Sequence, residues 1–223
     1  GECYVTDDGA ETDLDLGNYE RFLNISLQKQ HNITTGKVYQ SIIADERKGK
    51  YLGKTVQVIP HVTQKIQDMI EEAAHIPPLS DKGTAEVCII EVGGTIGDIE
   101  GLAFVEAIRQ MVYQKGEKNF CFIHVTLALS WMEEIKTKPT QNGIKELRHA
   151  GIFPDIIMTR ATQPLSTEII NKMSLFCQVK PEFILTNLQA KSIYHVPYDL
   201  YQQGILSKIY TILNLPMQPL ILN

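Results

Sequence analysis

Short apolar runs rich in β-branched residues recur about every thirty residues along this chain, with amphipathic segments between them. These runs occupy residues 55–60, 86–92, 119–125, 155–158 and 182–185. Runs that are apolar on both faces are typical of central strands in a largely parallel sheet. The intervening periodicity predicts helices near residues 18–30, 37–47, 66–73, 104–112, 141–149, 166–175 and 198–213. The sequence therefore predicts an α/β fold, with a largely parallel sheet flanked by helices.

The composition is that of an ordinary globular protein. Of the 223 residues, 43% are hydrophobic and 21% are charged, which excludes a disordered, collagen-like or coiled-coil chain. This length favours one large domain over residues 1–223. The net charge of −5 gives no global attraction to a nucleic acid, so we expect no nucleic-acid partner.

The cysteines and the hydropathy indicate the cellular environment. The four cysteines form no CxxC pair, and Cys88 and Cys121 lie in apolar runs. This pattern predicts buried thiols in a reducing compartment. No stretch approaches eighteen consecutive apolar residues, and the N-terminal residues are acidic, unlike a signal peptide. We therefore expect a cytoplasmic protein with no membrane partner.

Carboxylates are concentrated near the beginning of the sequence. The first twenty residues include seven acids, namely Glu2, Asp7, Asp8, Glu11, Asp13, Asp15 and Glu20. Within residues 11–15 the acids alternate, which places them on one side of an extended backbone. Like charges repel unless a cation lies among them, so a divalent metal ion is one interpretation. A solvated acidic edge is the other.

A further acid, Glu91, ends the most apolar run and is followed by Gly93, Gly94 and Gly97. Ligands of open α/β sheets bind at the carboxyl ends of strands, and a strand-end acid can hold magnesium there. The glycines would let backbone amides approach phosphates closely. The alternative is an ordinary turn in which Asp98 and Glu100 favour the start of a helix.

Residues 136–141 combine two lysines, two hydroxyls and an amide just before a predicted helix. Such a set suits a triphosphate or a polar base edge, although solvated surface is equally compatible. Lys172, considered alone, is an ordinary lysine on a helix surface. Residues 49–55 resemble a phosphate-binding P-loop, but the spacing is one residue short, which predicts a turn leading into the strand at 55–59.

Several ordered motifs together resemble the amidoligase (synthetase) domain of CTP synthase. They are residues 1–22, 32–37, 46–49, 51–53, 55–61, 91–100, 136–141 and 192–194. The resemblance implies a P-loop NTPase-like architecture related to dethiobiotin synthetase. It also implies a ligase of pyrimidine biosynthesis that makes CTP from UTP, ATP and ammonia. ATP phosphorylates the uracil O4, and ammonia then displaces phosphate at C4.

The resemblance also implies roles for individual residues. Magnesium is the implied cofactor, with Asp15 and Glu91 as its ligands. The implied ATP contacts are Asp15, Leu188, Gln189 and Ala190. Lys136 and Lys138 are the implied catalytic residues. The implied UTP site, shared with the feedback inhibitor CTP, comprises Asp98, Ile99, Glu100, Lys136, Thr137, Lys138, Pro139, Thr140, Gln141 and Lys172. Family members assemble as homotetramers, and some form filaments.

The sequence also departs from the family pattern. The family's P-loop lies upstream of the motif at Gly1, and its glutamine amidotransferase domain lies downstream, so we expect both to be absent from residues 1–223. The stretch from His124 to Lys136 is about two residues shorter than in the family. Two other functions stay open: a catalytically silent pyrimidine-nucleotide-binding module, and a ligase like dethiobiotin synthetase with another substrate.

Overall fold

The computed structural model describes residues 3–77, 85–131 and 134–216, without the side chains of residues 129–131 and 134. Two compact units are present. The first comprises Gly1–Gly93 and Ala103–Ile108, and the second comprises Gly94–Leu102 and Arg109–Asn223. The expectation of one domain over residues 1–223 stays a prediction. Most of the predicted surface loop at residues 76–83 lies outside the described residues.

The first unit begins with a small hairpin and continues with helices. Strands β1 (Cys3–Val5) and β2 (Glu11–Asp13) pair antiparallel, and they are followed by α1 (Leu14–Leu23), α2 (Thr35–Arg47) and α3 (Thr63–His75). A short 3₁₀ turn at Lys29–His31 and a π-type turn at Val58–Val62 precede α2 and α3, respectively. The hairpin therefore leads directly into the helix that carries Asp15.

Side-chain caps fix where these helices begin. The Asp13 carboxylate accepts a hydrogen bond from the Asp15 amide at 3.1 Å, and Asn24 ends α1 in the left-handed conformation. The Thr34 hydroxyl likewise accepts from the Lys37 amide, which starts α2. Each cap satisfies a helix-end amide that would otherwise lack a partner. The helical spacing of apolar residues then buries one face, including Val38, Ile42, Val62, Ile66 and Ile70.

Two predicted strands of the first unit are wrong. Residues 54–57 and 85–92 form no strand, and in the described residues neither segment has a hydrogen-bonded strand partner. Residues 58–60 belong instead to the π-type turn. A β-branched run becomes a strand only when another strand pairs with it, whatever its propensity. Without that partner, the side chain of Ile89 is 86% exposed, and Cys88, predicted to be buried, is exposed as well.

The turn predicted in place of a P-loop is confirmed. Residues 48–53 form consecutive turns in which Gly49, Leu52 and Gly53 have positive φ angles. These left-handed conformations redirect the chain after α2, and glycine adopts them without a steric penalty. The segment therefore leads into residues 54–57, which have no regular structure, and it follows α2, not a buried strand.

The second unit is organised around a parallel sheet in the order β3–β6–β7. Its strands are β3 (Ile123–Leu127), β6 (Ile156–Ala161) and β7 (Ile184–Leu188), with Ile123 opposite Ile156 and Ile157 opposite Ile184. The central strand β6 buries Ile156, Ile157 and Thr159. Burial on both faces is what a parallel strand between two neighbours requires. The observed strands lie within five residues of the predicted runs.

Helices and one further hairpin complete the second unit. The hairpin joins β4 (Leu129–Trp131) to β5 (Glu134–Lys136), and α5 (Lys138–His149) follows it immediately. The sequence continues with α6 (Thr167–Cys177), α7 (Val196–Gln202) and α8 (Ile205–Ile212), while α4 (Leu102–Lys115) contributes residues to both units. Ile144, Met173 and Cys177 join the sheet residues in one buried apolar cluster.

The predicted α/β class, with a parallel sheet flanked by helices, is confirmed by this arrangement. The long helix predicted at 198–213 is divided by Gly204, whose φ of +74° ends α7 and precedes α8. Among the helices that the structure describes, we find none with the length and apolar character needed to cross a bilayer.

Candidate functional site

A cavity of about 300 Å³ lies in the second unit beside the start of α5. Its lining consists of Ile135, Lys136, Thr137, Lys138, Gln141, Lys172 and Phe176. Five of these seven residues belong to the nucleotide set predicted from the sequence. Three of the five are lysines, so the cavity has the charge needed to bind an anion.

Two helices and one strand end bring the three lysines together. Lys136 is the last residue of β5, and Lys138 is the first residue of α5. Lys172 lies on α6, which packs against α5. The Arg148 guanidinium of α5 donates a hydrogen bond to the Cys177 carbonyl at the end of α6, which ties the two helices together. The lysines therefore converge through packing, although Lys172 is distant from the other two in sequence.

Hydroxyl groups position the start of α5. Gln141 Nε2 donates a hydrogen bond to Thr137 Oγ1 at 3.1 Å. This bond fixes the two cavity-lining side chains relative to each other. Thr140 is fully buried, and its hydroxyl lies 3.1 Å from Thr126 Oγ1 of β3. Neither Thr140 nor Pro139 lines the cavity. In this structure the two residues shape the helix start, and their predicted nucleotide contacts stay a prediction.

The electrostatics of the cavity favour a negatively charged ligand. Within the described part of the chain, Lys138 and Lys172 form no ion pair. Among the described residues, no side chain caps the N-terminus of α5, where Thr137 occupies the capping position. The helix dipole stabilises an anion at this end of the helix. Two lysines without acidic partners beside an uncapped helix start are therefore suited to phosphate groups.

The first unit holds a separate group of carboxylates. Partial burial, followed by the charges of Asp15 and Asp13, raises the pKa of Glu91, although much of this residue remains exposed. Burial and the same three acids raise the pKa of the Tyr19 hydroxyl to about 12. The two predicted magnesium ligands, Asp15 and Glu91, are therefore close enough to repel each other. Among the residues described, no group of three or more His, Cys, Asp or Glu side chains is arranged to hold a metal ion.

Asp98, Ile99 and Glu100 lie outside the cavity lining. They begin a 3₁₀ turn at Ile99–Gly101, and the preceding Gly97 lies against the Glu146 side chain of α5. Ile96 likewise lies next to Gly143 of α5. Gly143 and Gln141 are two residues apart, which places them about 160° apart around the axis of α5. Ile96 and Gly97 therefore contact a different side of α5 from the side that lines the lysine cavity, and residues 98–100 do not line that cavity.

The predicted adenine contacts follow the last strand of the sheet. Leu188 ends β7 and packs against the apolar core, and Gln189 and Ala190 continue without regular structure. This is the carboxyl end of a parallel strand, where ligands of α/β folds bind. None of the three residues lines the cavity, so their role in ATP binding stays a prediction.

Comparison with known proteins identifies the family. The sequence model described as CTP synthase N-terminus matches residues 1–215. The chain belongs to the CTP synthase N-terminal family. It is 54% identical over 207 residues to CTP synthase from Dictyostelium discoideum, covering 92% of this chain and 36% of that relative.

Two further relatives come from distant organisms. CTP synthase from Sulfurisphaera tokodaii is 53% identical over 218 residues, covering 97% of this chain and 40% of the relative. CTP synthase 1 from Saccharomyces cerevisiae is 52% identical over 216 residues, covering 96% of this chain and 37% of the relative. The chain thus spans well under half the length of the CTP synthases that it matches.

Sequence reasoning missed three residues at these two sites of the CTP synthase N-terminal chain. Ile135 and Phe176 line the lysine cavity, and Tyr19 lies within electrostatic range of Asp15 and Glu91. Asp13, which also acts on Glu91, is one of the alternating acids for which the sequence made a metal ion one interpretation. Phe176 and Tyr19 each lie four residues after a predicted site residue on the same helix, Lys172 and Asp15, respectively. Residues four apart share a helix face, so this spacing was the available signal.

Proposed function

We propose that the protein contributes the synthetase site of an enzyme that aminates UTP to CTP at the expense of ATP. The observation that carries this proposal is the cavity that gathers Lys136, Lys138 and Lys172 with Thr137 and Gln141. These residues come from separate elements, and folding unites them around a volume that can hold polyphosphate groups. Membership of the CTP synthase N-terminal family supports a pyrimidine nucleotide as the ligand.

The lysines have a defined task in this reaction. A triphosphate carries several negative charges, which must be neutralised before a second nucleotide can transfer its phosphoryl group nearby. Lys136 and Lys138 would neutralise the triphosphate from the helix start, and Lys172 would do so from α6. Gln141, held by the Thr137 hydroxyl, offers its carbonyl oxygen as a hydrogen-bond acceptor for ligand groups.

Asp15 and Glu91 suit the magnesium ion that accompanies ATP. Partial burial and then the charge of Asp15 raise the pKa of Glu91, and a cation between the two carboxylates would offset both effects. Magnesium binds to few protein carboxylates and keeps phosphate and water oxygens as its other ligands, so two acids suffice. When bound, it would supply charge neutralisation at the transferring phosphate. The Asp13 carboxylate, which accepts a hydrogen bond from the Asp15 amide, would hold Asp15 at the start of α1.

The remaining partners follow from the same proposal. ATP would contact Leu188, Gln189 and Ala190, and ammonia would displace phosphate from C4 of the 4-phosphorylated pyrimidine. The net reaction converts UTP, ATP and ammonia into CTP, ADP and phosphate. CTP would return to the cavity as a feedback inhibitor. We further propose a cytoplasmic homotetramer that is able to form filaments, in which residues 98–100 complete the pyrimidine site.

A direct assay tests the proposal. The protein is incubated with UTP, Mg-ATP and an ammonium salt, and CTP is measured by chromatography with ADP release as a second readout. CTP formation that requires all three substrates is the expected result. A protein that binds UTP and CTP but never forms CTP would instead be a nucleotide-binding module. Turnover of a small carboxylic acid in place of UTP would indicate the ligase activity related to dethiobiotin synthetase.

A further inference from the structure

A loop of the second unit is closed at its base by one glutamine side chain. The Thr186 amide of β7 donates a hydrogen bond to Gln203 Oε1 at 2.9 Å, and Gln203 Nε2 donates to the Thr186 carbonyl at 2.8 Å. A carboxamide has both donors and an acceptor, so it can pair with the N–H and the C=O of one residue. Gln203 thus joins the end of α7 to a strand residue 17 positions earlier in the sequence.

This pairing satisfies the edge of the parallel sheet. Among the strands that the structure describes, β7 is hydrogen-bonded only to β6. The backbone groups on the other side of an edge strand need partners from side chains or water. Both hydrogen bonds to Gln203 are partly buried, which reduces competition from water. Gln203 therefore takes the place that a neighbouring strand would have at Thr186.

The backbone of Gln203 is itself held in place. Gly204 has a φ of +74°, and its amide donates a hydrogen bond to the Tyr201 carbonyl at 2.8 Å. Lys208 Nζ of α8 donates to the Gln203 carbonyl at 2.7 Å, and Gln203 Nε2 also donates to the Asp199 carbonyl at 3.2 Å. The break between α7 and α8 thus fixes the point from which the Gln203 side chain extends to β7.

The loop that these hydrogen bonds close contains the predicted adenine contacts. Leu188 ends β7, and Gln189 and Ala190 follow it without regular structure. Thr186 is two residues before Leu188, so the hydrogen bonds to Gln203 act directly on this end of the strand. A loop tied at both ends samples fewer conformations than a loop tied at one end. The contact between Thr186 and Gln203 therefore limits the conformations that residues 188–190 can adopt.

We propose that Gln203 is a positioning residue for ATP, which holds residues 188–190 in the conformation that receives the adenine. This inference rests on the proposed function, because that function assigns the ATP contacts to residues 188–190. Gln203 acts through the backbone of β7 and takes no part in phosphoryl transfer. None of residues 186–203 lines the lysine cavity, so loss of the Gln203 side chain should affect ATP and spare UTP.

Three variants separate the hydrogen bonds from the general effect of a substitution. Gln203→Met keeps the length of the side chain but removes its donors and its acceptor. Gln203→Glu keeps an acceptor for the Thr186 amide but places a second carboxylate oxygen against the Thr186 carbonyl. Gln202→Met is the matched control, because Gln202 is the exposed last residue of α7.

Hydrogen exchange and calorimetry are measured on the natural protein and on each variant. In both Gln203 variants we expect the amides of residues 187–190 to exchange about tenfold faster, because the strand end opens more readily. Affinity for Mg-ATP should fall about five- to tenfold, whereas affinity for UTP should change by no more than about twofold. Gln202→Met should behave like the natural protein in all three measurements.

Several results would overturn this role. If either the exchange of residues 187–190 or the affinity for ATP is unchanged in the Gln203 variants, the side chain does not position these residues for ATP. If the affinities for ATP and UTP fall equally, Gln203 only supports the fold of the second unit. A natural protein that does not bind ATP would contradict the contacts at residues 188–190 together with this role. A protein that forms no CTP, yet binds ATP more weakly after Gln203→Met, retains the inference while the proposed catalysis fails.

Discussion

The two candidate sites carry opposite charges, and they are assembled in different ways. In the first unit, Asp13, Asp15 and Glu91 repel one another beside Tyr19. In the second unit, Lys136, Lys138 and Lys172 surround a cavity. At the acidic site, the charges of Asp15 and Asp13 add to the effect of partial burial on Glu91. The acidic site is thus suited to a cation and the lysine site to an anion.

The supporting elements differ as well. Asp15 is fixed by the Asp13 cap at the start of α1, but Glu91 lies in an extended segment without a strand partner among the described residues. The lysines depend instead on β5, α5 and α6, which share one buried cluster through Ile135, Ile144 and Met173. The comparison shows that packed helices and a strand position the lysines. Glu91, in contrast, is positioned by the backbone conformation of its own segment.

The largest expected effect comes from removing a lysine of the cavity. Lys172→Met removes one cation but retains most of the aliphatic side chain, and it should weaken UTP binding by roughly 30- to 100-fold. The reason is that a charge-assisted hydrogen bond to phosphate is lost from a site with few competing partners. Calorimetric titration with UTP measures the effect.

Lys180→Met is the matched control, because Lys180 is an exposed lysine of the same unit that does not line the cavity. It should change UTP affinity by no more than about twofold, as expected for a surface charge. Equal losses in the two variants would mean that only the overall charge matters, and would remove the basis for a lysine site at this cavity.

A smaller effect is expected from the packing that positions Asp15. A Cβ atom added at Gly17 of α1 would lie 2.6 Å from Tyr4 Cδ2, while the Tyr4 hydroxyl donates a hydrogen bond to Glu20 of the same helix. The ring cannot move without losing this hydrogen bond. Gly17→Ala should therefore lower the free energy of unfolding by about 1–3 kcal/mol, as overpacking does elsewhere. Urea denaturation measures the change.

The same substitution at Gly36 of α2 provides the control for helix propensity. A Cβ atom there would meet only Thr34 Oγ1, at 4.0 Å. Alanine is a better helix former than glycine, so Gly36→Ala should leave stability unchanged or raise it by up to about 1 kcal/mol. If Gly17→Ala is also stabilising, the contact between α1 and Tyr4 does not constrain the position of Asp15.

The smallest expected effect concerns the repulsion at Glu91. Because folding raises the pKa of this carboxyl, the folded state binds the proton more readily than the unfolded state. Stability is therefore lost as pH rises from the ordinary glutamate pKa through the raised value, and the loss persists at neutral pH. Glu91→Gln removes this penalty. In the presence of EDTA at pH 7, it should raise the free energy of unfolding by less than about 1 kcal/mol, because Glu91 remains exposed.

Magnesium and acid should each reverse that gain. Below a pH of about 4.3 the glutamate is largely protonated even when unfolded, so Glu91→Gln and the natural protein should converge. With added magnesium, the natural protein should gain stability and the variant should gain less. Glu86→Gln, in the same exposed segment, controls for general charge loss. A destabilising Glu91→Gln change in EDTA would contradict the repulsion among these acids.

Helices were predictable because their signals are local. The spacing of apolar residues and the caps at Asp13, Thr34 and Ser166 lie within a few residues of each helix start. The strand predicted at 86–92 failed because a strand needs a partner, which no local pattern can supply. The predicted burial of Cys88 was wrong for the same reason, since it assumed that the strand lay inside a sheet.

The same difference between local and long-range information applies to the two candidate sites. The amino-acid types at residues 136–141 indicated a phosphate site as one of two interpretations, because lysines and hydroxyls bind phosphates but are also common on a solvated surface. The sequence did not reveal that Thr140 faces β3 while Phe176 enters the cavity. A side chain's surroundings depend on which helix faces pack together, and α5 and α6 meet only in the folded chain.

The sequence by itself determined the α/β class, most of the helices, and the two sets of charged residues, because propensity, periodicity and charge belong to short stretches of chain. Tertiary structure alone decided that packing of α6 on α5 brings Lys172 to the cavity of Lys136 and Lys138, that Phe176 lies beside them, and that Ile96 and Gly97 contact another side of α5. The reason is that helix packing sets the distances between residues far apart in sequence, and electrostatic and apolar contacts act only over those distances.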